Sequence, residues 1–245
     1  VDEVLEKLGG EMDILMLNAG LGQLEETSTH NFEQEIQSDS NARMLMETNY
    51  LSPKRMAQTV LRRKKGGNHI VYTASVASNM AVPLSASYAA SKHAAHGYFK
   101  SLQSECYPWL RIDLPCLGSV DTAFLDKGVG KVEEPKEEEG SSLSRELVKA
   151  GKEQEEEEDE AKMKVTRCAR LILSAMHGGF REPWIAQQPT LAFMFLQQYF
   201  PGLTQMLMGI VGSLRLKAFQ RGLPLYKKST WKQLMKEGKQ KHKTN

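Results

Sequence analysis

The chain has 245 residues, of which 40% are hydrophobic and 25% charged, and this balance is typical of one globular domain with a sizeable core. The formal net charge is only +2, so charge gives no general argument for nucleic-acid binding. The three cysteines (Cys106, Cys116 and Cys168) form no CxxC pair, and the six histidines show no HExxH or mixed Cys/His spacing. The sequence therefore predicts free thiols in a reducing compartment, without a disulfide framework or a metal site.

Apolar runs and helical patterns alternate along most of the chain. The predicted strands are residues 12–17, 70–75, 111–117 and 184–186. The predicted helices are residues 1–8, 32–63 with an interruption near 38–40, 85–107 and 165–176. The first strand is apolar apart from Asp13, which is typical of a strand buried on both faces. Strands that alternate with helices indicate βαβ units and an α/β fold with a parallel sheet.

Two charged segments stand outside this pattern. Residues 131–164 are dominated by glutamate, and a run of like charges that buries little predicts a solvated, mobile insertion. The lysine-rich tail from Lys227 to Asn245 is predicted to be disordered, as an ordinary solubilising tail or as a contact to an anionic surface. The domain is thus expected to span residues 1–226, interrupted by the acidic insertion.

Residues 189–219 are rich in aromatic and long aliphatic side chains. Polar residues and Pro201 interrupt them before any run reaches the roughly 18 apolar residues of a membrane-spanning helix. Three interpretations remain open for this segment: an interfacial helical pair on a membrane, packing over a substrate pocket, and packing against a partner subunit such as a second copy in a homodimer.

The sharpest chemical pattern is Tyr88-Ala89-Ala90-Ser91-Lys92 inside a predicted helix. Residues four apart lie on one helix face, so the phenol and the ammonium point the same way. A nearby positive charge lowers the pKa of a phenol, and Tyr88 could then exchange a proton with a substrate oxygen. Alone, however, a tyrosine and a lysine at this spacing are more often an ordinary surface pair.

Three further features make a functional interpretation stronger. Ser75 ends a predicted strand, at the edge of an open α/β sheet where ligands bind, and its hydroxyl can donate to a substrate oxygen. Asn49 lies in an upstream helix, where it could hold a water molecule or a kinked backbone. Residues 18–20 read Asn-Ala-Gly at the end of the first strand, where glycine permits close approach of a ligand.

In this order and spacing, the residues resemble the classical short-chain dehydrogenase/reductase family and its Asn-Ser-Tyr-Lys tetrad. The resemblance runs from Val1 to about Tyr226 outside the acidic insertion. Within the family, the sequence around Val82, Ala90 and Thr166, and the stretch from Trp184 to Pro189, are most similar to the dehydrogenase/reductase member 7 group. The resemblance implies a Rossmann-like, doubly wound parallel sheet, with a helical extension at its C-terminal end.

The family resemblance also implies roles for individual residues. Tyr88 would be the acid/base, Lys92 would hold the nicotinamide ribose and tune Tyr88, Ser75 would orient the substrate oxygen, and Asn49 would hold a proton-relay water. The residues expected at the cofactor are Asn18, Ala19, Gly20, Tyr88, Lys92, Gly118, Val120 and Thr122. The expected cofactor is NAD(P)(H), with a slight preference for NADP(H).

The sequence departs from the family pattern in three places. Leu17 replaces the first asparagine of the usual NNAG, and Leu117 replaces the proline of the usual PG before the nicotinamide loop. No glycine-rich TGxxxGxG turn occurs, and in this family that turn cradles the pyrophosphate upstream of everything seen here. We therefore expect the cofactor-binding half to be missing from residues 1–245, which alone would form no active enzyme.

Two functional hypotheses follow from the sequence. The first is an oxidoreductase that acts on a bulky apolar carbonyl or alcohol, such as a steroid, retinoid or lipid-derived compound, because the loop 80–84 and the segment after Pro189 could cover an apolar pocket. The second is a non-catalytic binding or scaffolding module that uses the acidic insertion and the C-terminal helices. The resemblance also implies a protein that faces the cytosol at the endoplasmic reticulum membrane.

Overall fold

The computed structural model describes residues 2–7, 12–26, 32–62, 68–125, 128–129, 162–225 and 227–241. Residues 131–161 of the predicted acidic insertion lie outside these ranges, so its mobility stays a prediction. Within the described ranges the chain is an α/β protein with parallel strands, as the sequence predicts.

Three strands form the first parallel sheet, and their bounds are β1 Ile14–Leu17, β2 Asn68–Tyr72 and β4 Leu110–Asp113, in the order β1-β2-β4. A second parallel sheet has the order β3-β5-β6, with bounds β3 Ala74–Ser75, β5 Cys116–Leu117 and β6 Trp184–Ile185. The register Val71–Asp113 continues unchanged as Ala74–Cys116, so β2 with β3 and β4 with β5 are successive parts of the same strand pairing.

Three strand predictions need correction, and the first concerns residues 70–75, which the structure divides at Thr73 into β2 and β3. The strand predicted over residues 111–117 is divided into β4 and β5 by Leu114 and Pro115, because proline has no N–H to give to a ladder. The strand predicted to be buried on both faces is β1, but only Leu15 and Leu17 are buried, whereas Ile14 and Met16 are about half exposed. In the described ranges, β1 has a neighbour on one side and lies at the edge of its sheet.

The helices before β5 are α1 Asp2–Lys7, α2 Phe32–Met46, α3 Ser52–Arg62 and α4 Ala86–Glu105. The predicted interruption near residues 38–40 is wrong, because α2 passes through Ser38 and Ser40 without a break. Serine and aspartate are only weak helix breakers, and tertiary packing overrides them. The irregularity falls later, in the wide π-helical turn Glu47–Leu51 between α2 and α3.

The core forms where α4 packs against the carboxyl half of the first sheet. Ala95, Phe99 and Leu102 of α4 are buried together with Ile70 of β2 and Ile112 of β4. The ring of Tyr72 stacks on Phe99 with centroids 4.9 Å apart. This packing fixes α4, and with it the Tyr88–Lys92 pair, relative to the strand ends.

The C-terminal part is helical, as predicted, and its helices are α5 Val165–His177, α6 Thr190–Tyr199, α7 Pro201–Gln220 and α8 Lys228–Lys241. The prediction of disorder after residue 227 is therefore wrong for α8. Leu234 and Thr230 are buried, and the Trp231 indole N–H donates to the Leu225 carbonyl oxygen at 3.1 Å. The lysines dominate the composition, but apolar residues at helical spacing give α8 a face that packs on α7.

None of the described helices is long and apolar enough to cross a membrane. The apolar segment at residues 189–219 forms a helical pair, α6 and α7, which pack against each other. Phe195, Tyr199 and Phe200 leave large parts of their rings exposed on this pair.

Candidate active site

Tyr88 and Lys92 lie one turn apart on α4, as their spacing predicts. The Tyr88 side chain is half-buried, and its ring meets Phe124 edge-on with centroids 6.1 Å apart. Lys92 is only 5% exposed. Its ammonium donates to the Thr73 carbonyl oxygen at 3.0 Å and to the Tyr72 hydroxyl at 3.3 Å. The helix therefore brings a buried cation beside the carboxyl end of β2.

Burial makes the Lys92 ammonium unusually acidic. Removal from water lowers the pKa of Lys92 from 10.5 to about 8, and the nearby Cys116 offsets only part of this effect. The ring of Tyr72 also faces the ammonium, 4.9 Å from the ring centroid, and supplies a cation–π contact without a full negative charge. Lys92 is thus held by neutral groups, and its pKa of about 8 lies closer to neutral pH than the pKa of an exposed lysine.

Asn49 occupies the π-helical turn and is fully buried. Its side-chain oxygen accepts from the Leu21 N–H at 2.8 Å, and its amide donates to the Leu21 carbonyl oxygen at 3.0 Å. The amide also donates to Ser91 Oγ at 2.9 Å, and Ser91 in turn donates to the Tyr88 carbonyl oxygen at 2.8 Å. The side chain therefore ties the loop after β1 to α4.

The backbone carbonyl of Asn49 completes a second connection to Lys92. It accepts from the buried Tyr72 hydroxyl at 2.9 Å, and the same hydroxyl contacts the Lys92 ammonium. Burial raises the pKa of Tyr72 far above its ordinary value, so this phenol stays protonated and donates. The proton-relay water expected at Asn49 stays a prediction, but a phenol oxygen stands between Lys92 and the Asn49 carbonyl.

Ser75 ends β3, as predicted for a residue that meets a substrate. Its Oγ accepts from the Ala77 N–H at 3.2 Å and lies 3.4 Å from the Leu117 carbonyl oxygen, to which it donates. The short helix Val76–Ser78 begins here, and the Ser75 side chain caps it. The hydrogen bond from the hydroxyl to Leu117 is long. A stronger acceptor, such as a developing oxyanion on a substrate, could therefore accept this hydrogen bond instead.

The residues expected at a nicotinamide cofactor lie at the strand ends nearby. A Cβ at Gly20 would come within 3.2 Å of Asn49 Oδ1 and 3.7 Å of Lys92 Nζ. Glycine at this position therefore keeps the space beside Lys92 free of a side chain. Asn18 accepts from the Thr73 hydroxyl at 2.9 Å, and Ala19 beside it is exposed. Hydroxyl and backbone groups around a buried cation suit a ribose, so this region fits the cofactor that the resemblance implies.

Gly118 is required for packing rather than for a turn. A Cβ there would lie 2.8 Å from the Ala186 Cβ, because Gly118 pairs closely with the segment after β6. Val120 forms a parallel bridge with Met163, and the Thr122 hydroxyl accepts from the Phe124 N–H at 3.3 Å. These contacts place the predicted nicotinamide loop between β5 and Phe124, next to Tyr88.

Gln23 is a buried residue that the sequence interpretation missed. Its side-chain oxygen accepts from the Tyr88 N–H at 3.0 Å, and its backbone oxygen accepts from the Ser85 hydroxyl at 2.9 Å. Its amide donates to the buried Glu25 at 2.8 Å. Gln23 therefore supplies from a distance the cap that the first turn of α4 needs, since Ser85 makes no side-chain cap of its own.

The family model described as short chain dehydrogenase matches residues 1–131, which is more than half of the chain. The chain belongs to the short-chain dehydrogenase family. The resemblance stated from the Asn-Ser-Tyr-Lys order is thereby confirmed, together with the Rossmann-like α/β class.

Curated members of the family confirm the similarity to the member 7 group. The chain is 30% identical over 223 residues to the human dehydrogenase/reductase SDR family member 7, covering 87% of this chain and 58% of that protein. The mouse protein of the same name is 29% identical over 223 residues, again covering 87% and 58%. The chain thus spans little more than half the length of these relatives.

Solved structures of short-chain dehydrogenases show the same fold. One, from Burkholderia cenocepacia in complex with NADP, is 20% identical with a TM-score of 0.59, covering 82% of this chain and 71% of that chain. Another, from Streptomyces avermitilis, is 19% identical with a TM-score of 0.57, covering 86% and 75%. At these identities, the likeness concerns the fold alone.

Replacement of Gln23 tests its role as the cap of α4. Gln23→Met keeps the length of the side chain but leaves the Tyr88 N–H without its acceptor. We expect the free energy of unfolding to fall by about 1–3 kcal/mol, the usual cost of a lost cap plus an unsatisfied buried group. Chemical denaturation of this short-chain dehydrogenase measures the effect.

The matched control for this change is Gln220→Met, which removes an exposed hydrogen bond to Glu26. Its effect should stay within about 0.5 kcal/mol. A loss that small for Gln23→Met as well would show that the first turn of α4 does not depend on Gln23.

Lys92→Met tests whether the buried ammonium is responsible for a rise of stability with pH. The pKa of Lys92 is about 8 in the folded chain and 10.5 when exposed. Between these pH values the unfolded chain binds more protons than the folded chain, so the free energy of unfolding rises with pH. From pH 7.5 to 9, the unfolding free energy of the wild type relative to Lys92→Met should rise by about 1 kcal/mol.

Denaturation curves at several pH values check this expectation. The comparison ends at pH 9 because burial raises the pKa of Cys116 from 9.0 to about 12. Above pH 9 this thiol lowers the free energy of unfolding in both proteins as the pH rises. Parallel pH profiles of wild type and variant would contradict the acidic ammonium.

Proposed function

We propose that the protein is an oxidoreductase that transfers a hydride between NAD(P)(H) and a carbonyl or alcohol. The observation that carries this proposal is the buried network of Lys92, Tyr72, Asn49 and Ser91, which holds an ammonium one helical turn from Tyr88. A buried charge without a carboxylate partner is costly to maintain, and such costs are typical of functional sites.

The residues of the chain then have separate tasks. The Lys92 ammonium binds the nicotinamide ribose and favours the phenolate of Tyr88. The Tyr88 hydroxyl gives a proton to the carbonyl oxygen of the substrate and takes it back in the reverse direction. The Ser75 hydroxyl donates to the same oxygen as negative charge develops on it. Bound NAD(P)H supplies the hydride for reduction.

The remaining cofactor contacts are proposed from position. Asn18, Ala19 and Gly20 form the floor beside Lys92, and the loop that contains Gly118, Val120 and Thr122 approaches the carboxamide. We propose NADP(H) with a slight preference over NAD(H).

The surroundings of Tyr88 favour a bulky apolar substrate. Phe124 packs against Tyr88 from one side while remaining more than a third exposed. Residues 80–84 lead into α4, and α7 packs near this loop, since a Cβ at Gly212 would lie 3.5 Å from Pro83. Apolar walls of this kind suit a steroid, retinoid or lipid-derived carbonyl better than a small polar one.

A scaffolding role without catalysis accounts less well for these residues. Binding surfaces need exposed side chains, whereas Asn49, Ser91 and Lys92 are buried and linked to one another. Their burial costs stability without creating a surface for a partner.

Tyr88→Phe tests the proposed chemistry in a form of the protein that carries a glycine-rich turn ahead of Val1. Turnover of an apolar ketone with NADPH should fall at least about a hundredfold, because the acid/base is lost, while cofactor affinity stays within about twofold, because the ring still fills its place. Steady-state kinetics and fluorescence titration with NADPH measure the two effects.

The matched control is Tyr98→Phe, on the same helix but packed against Tyr50 and Phe99. It should keep nearly wild-type turnover. If Tyr88→Phe keeps more than about a tenth of the rate, Tyr88 is not the acid/base. If the wild type turns over no carbonyl and binds neither NADPH nor NADH, the scaffolding hypothesis replaces the enzyme.

We also propose that the α6–α7 pair rests on an anionic membrane surface, as expected for a protein at the cytosolic side of the endoplasmic reticulum. Tyr199, Phe200 and Met206 each expose more than 60% of their surface. The basic residues Lys217 and Arg221 follow at the end of this pair, and α8 contains five lysines and one acidic residue. Exposed aromatic rings beside basic residues are typical of interfacial helices.

Co-sedimentation with vesicles tests this surface. The chain should bind vesicles that contain phosphatidylserine at low salt, and binding should weaken as salt rises. Serine at Tyr199, Phe200 and Met206 together should weaken binding at least about tenfold, whereas serine at the exposed Tyr107 and Trp109 should not. Equal binding by both variants would exclude this face, and concentration-dependent dimers that the first variant abolishes would favour a partner subunit.

A further inference from the structure

One turn beyond Lys92, α4 carries His96 into a cluster with Cys116 and Glu182. The imidazole nitrogen, the thiol sulfur and a carboxylate oxygen all lie within 4.8 Å of one another. His96 and Cys116 are buried, and Glu182 is half-buried. These residues come from α4, from β5 and from the turn before β6, so no spacing in the sequence reveals them.

The imidazole of His96 has an unmet bonding group in this cluster. His96 is only 3% exposed, and its Nε2 has no hydrogen-bond partner in the described part of the chain. Nε2 lies 3.3 Å from Glu182 Oε1, which is an ion-pair distance, so its contact with the carboxylate is weak rather than absent. A metal ion that both groups coordinate would replace this weak contact with direct bonds.

We propose that His96, Cys116 and Glu182 bind one zinc ion. Imidazole nitrogen, thiolate sulfur and carboxylate oxygen are the three donor types that zinc takes in proteins. A tetrahedral zinc ion has four ligands, and this cluster supplies three of them. The thiolate and the carboxylate together neutralise the two positive charges of the ion, so the buried site carries no net charge. Binding of zinc here can be tested without the proposed hydride transfer.

The distances are close to those that zinc requires. Zinc–ligand bonds of about 2.0–2.3 Å in a tetrahedron place the ligand atoms about 3.3–3.8 Å apart, so the cluster needs to contract by about 1 Å. Side-chain rotation can supply this change without a movement of the backbone.

A fourth ligand is also within reach. The amide of Asn79 lies 3.5 Å from Cys116 Sγ and 3.4 Å from Glu182 Oε1. Rotation of this amide by half a turn points its oxygen at the same centre. The site then has four protein ligands, of which three are donor types usual for zinc and one is an amide oxygen.

A metal at this place would join three parts of the fold. It would connect α4 with β5, whose Leu117 carbonyl receives the Ser75 hydroxyl, and with the segment that leads into β6. Lys100 now pairs with the other oxygen of Glu182 at 2.8 Å and can keep this contact when Oε1 binds the metal. Zinc would therefore stabilise the framework beneath Lys92 and Ser75 without entering the reaction.

Metal titration of the 245-residue chain, stripped with EDTA under reducing conditions, tests the site. One equivalent of Zn²⁺ should bind and raise the unfolding temperature, because the ion binds only the folded cluster. Co²⁺ should replace it and give a thiolate-to-metal charge-transfer band, which the glutamate-rich residues 131–161 cannot produce because they contain no cysteine.

The variants identify the ligands. Cys116→Ser should abolish the band, and His96→Gln and Glu182→Gln should each weaken Zn²⁺ binding at least about tenfold, since even groups that only support a ligand have effects of this size.

A chain with serine at Cys106 and Cys168 keeps Cys116 as its one thiol, and it should retain the band and the affinity. This variant decides the question even if Cys116→Ser fails to fold. Absence of a stoichiometric band in the wild type, its loss from the Cys116-only chain, or unchanged Zn²⁺ affinity in His96→Gln would each overturn the proposal.

Discussion

The buried ammonium of Lys92 is the constraint on which the rest of the site depends. Its hydrogen bonds go to the Tyr72 hydroxyl and the Thr73 carbonyl, and both acceptors are neutral. An isolated buried charge is unfavourable, so the helix that carries it must be held in place by other contacts. The stacking of Tyr72 on Phe99 and the burial of Ala95 supply that support on the same helix. The apolar packing of α4 therefore offsets the cost of burying the Lys92 ammonium on the same helix.

The π-helical turn explains how Asn49 serves two partners at once. A wide turn inserts an extra residue into a helix and rotates its side chains, and such turns are frequent at functional sites. Here the turn directs the side chain of Asn49 towards Leu21 and Ser91, while its carbonyl accepts from Tyr72. The Asn49 carbonyl thus contributes an acceptor outside the helix to the network around Lys92.

The sequence predicts the parts of this site that depend on local spacing. Tyr88 and Lys92 share a helix face because they are four residues apart, and Ser75 lies at a strand end because an apolar run precedes it. Gln23 and Tyr72 were not predicted, because their importance comes from partners 65 and 20 residues away along the chain. Disorder was predicted for the lysine-rich tail for a related reason. The apolar face of α8 stabilises this helix only because it packs on α7. Long-range partners, rather than local patterns, account for most of what the sequence did not reveal.

The polar face of α4 links the two proposals in physical terms. Tyr88, Lys92 and His96 follow one another at steps of four residues, so one stripe of this helix places polar groups where a core helix usually has apolar ones. A stripe of this kind is stable only if each buried group finds a partner. Gln23 serves the first turn and the Tyr72 hydroxyl serves the second. In the third turn Nε2 of His96 lies at ion-pair distance from Glu182, and the thiol of Cys116 beside this pair makes the third turn suited to a metal ion.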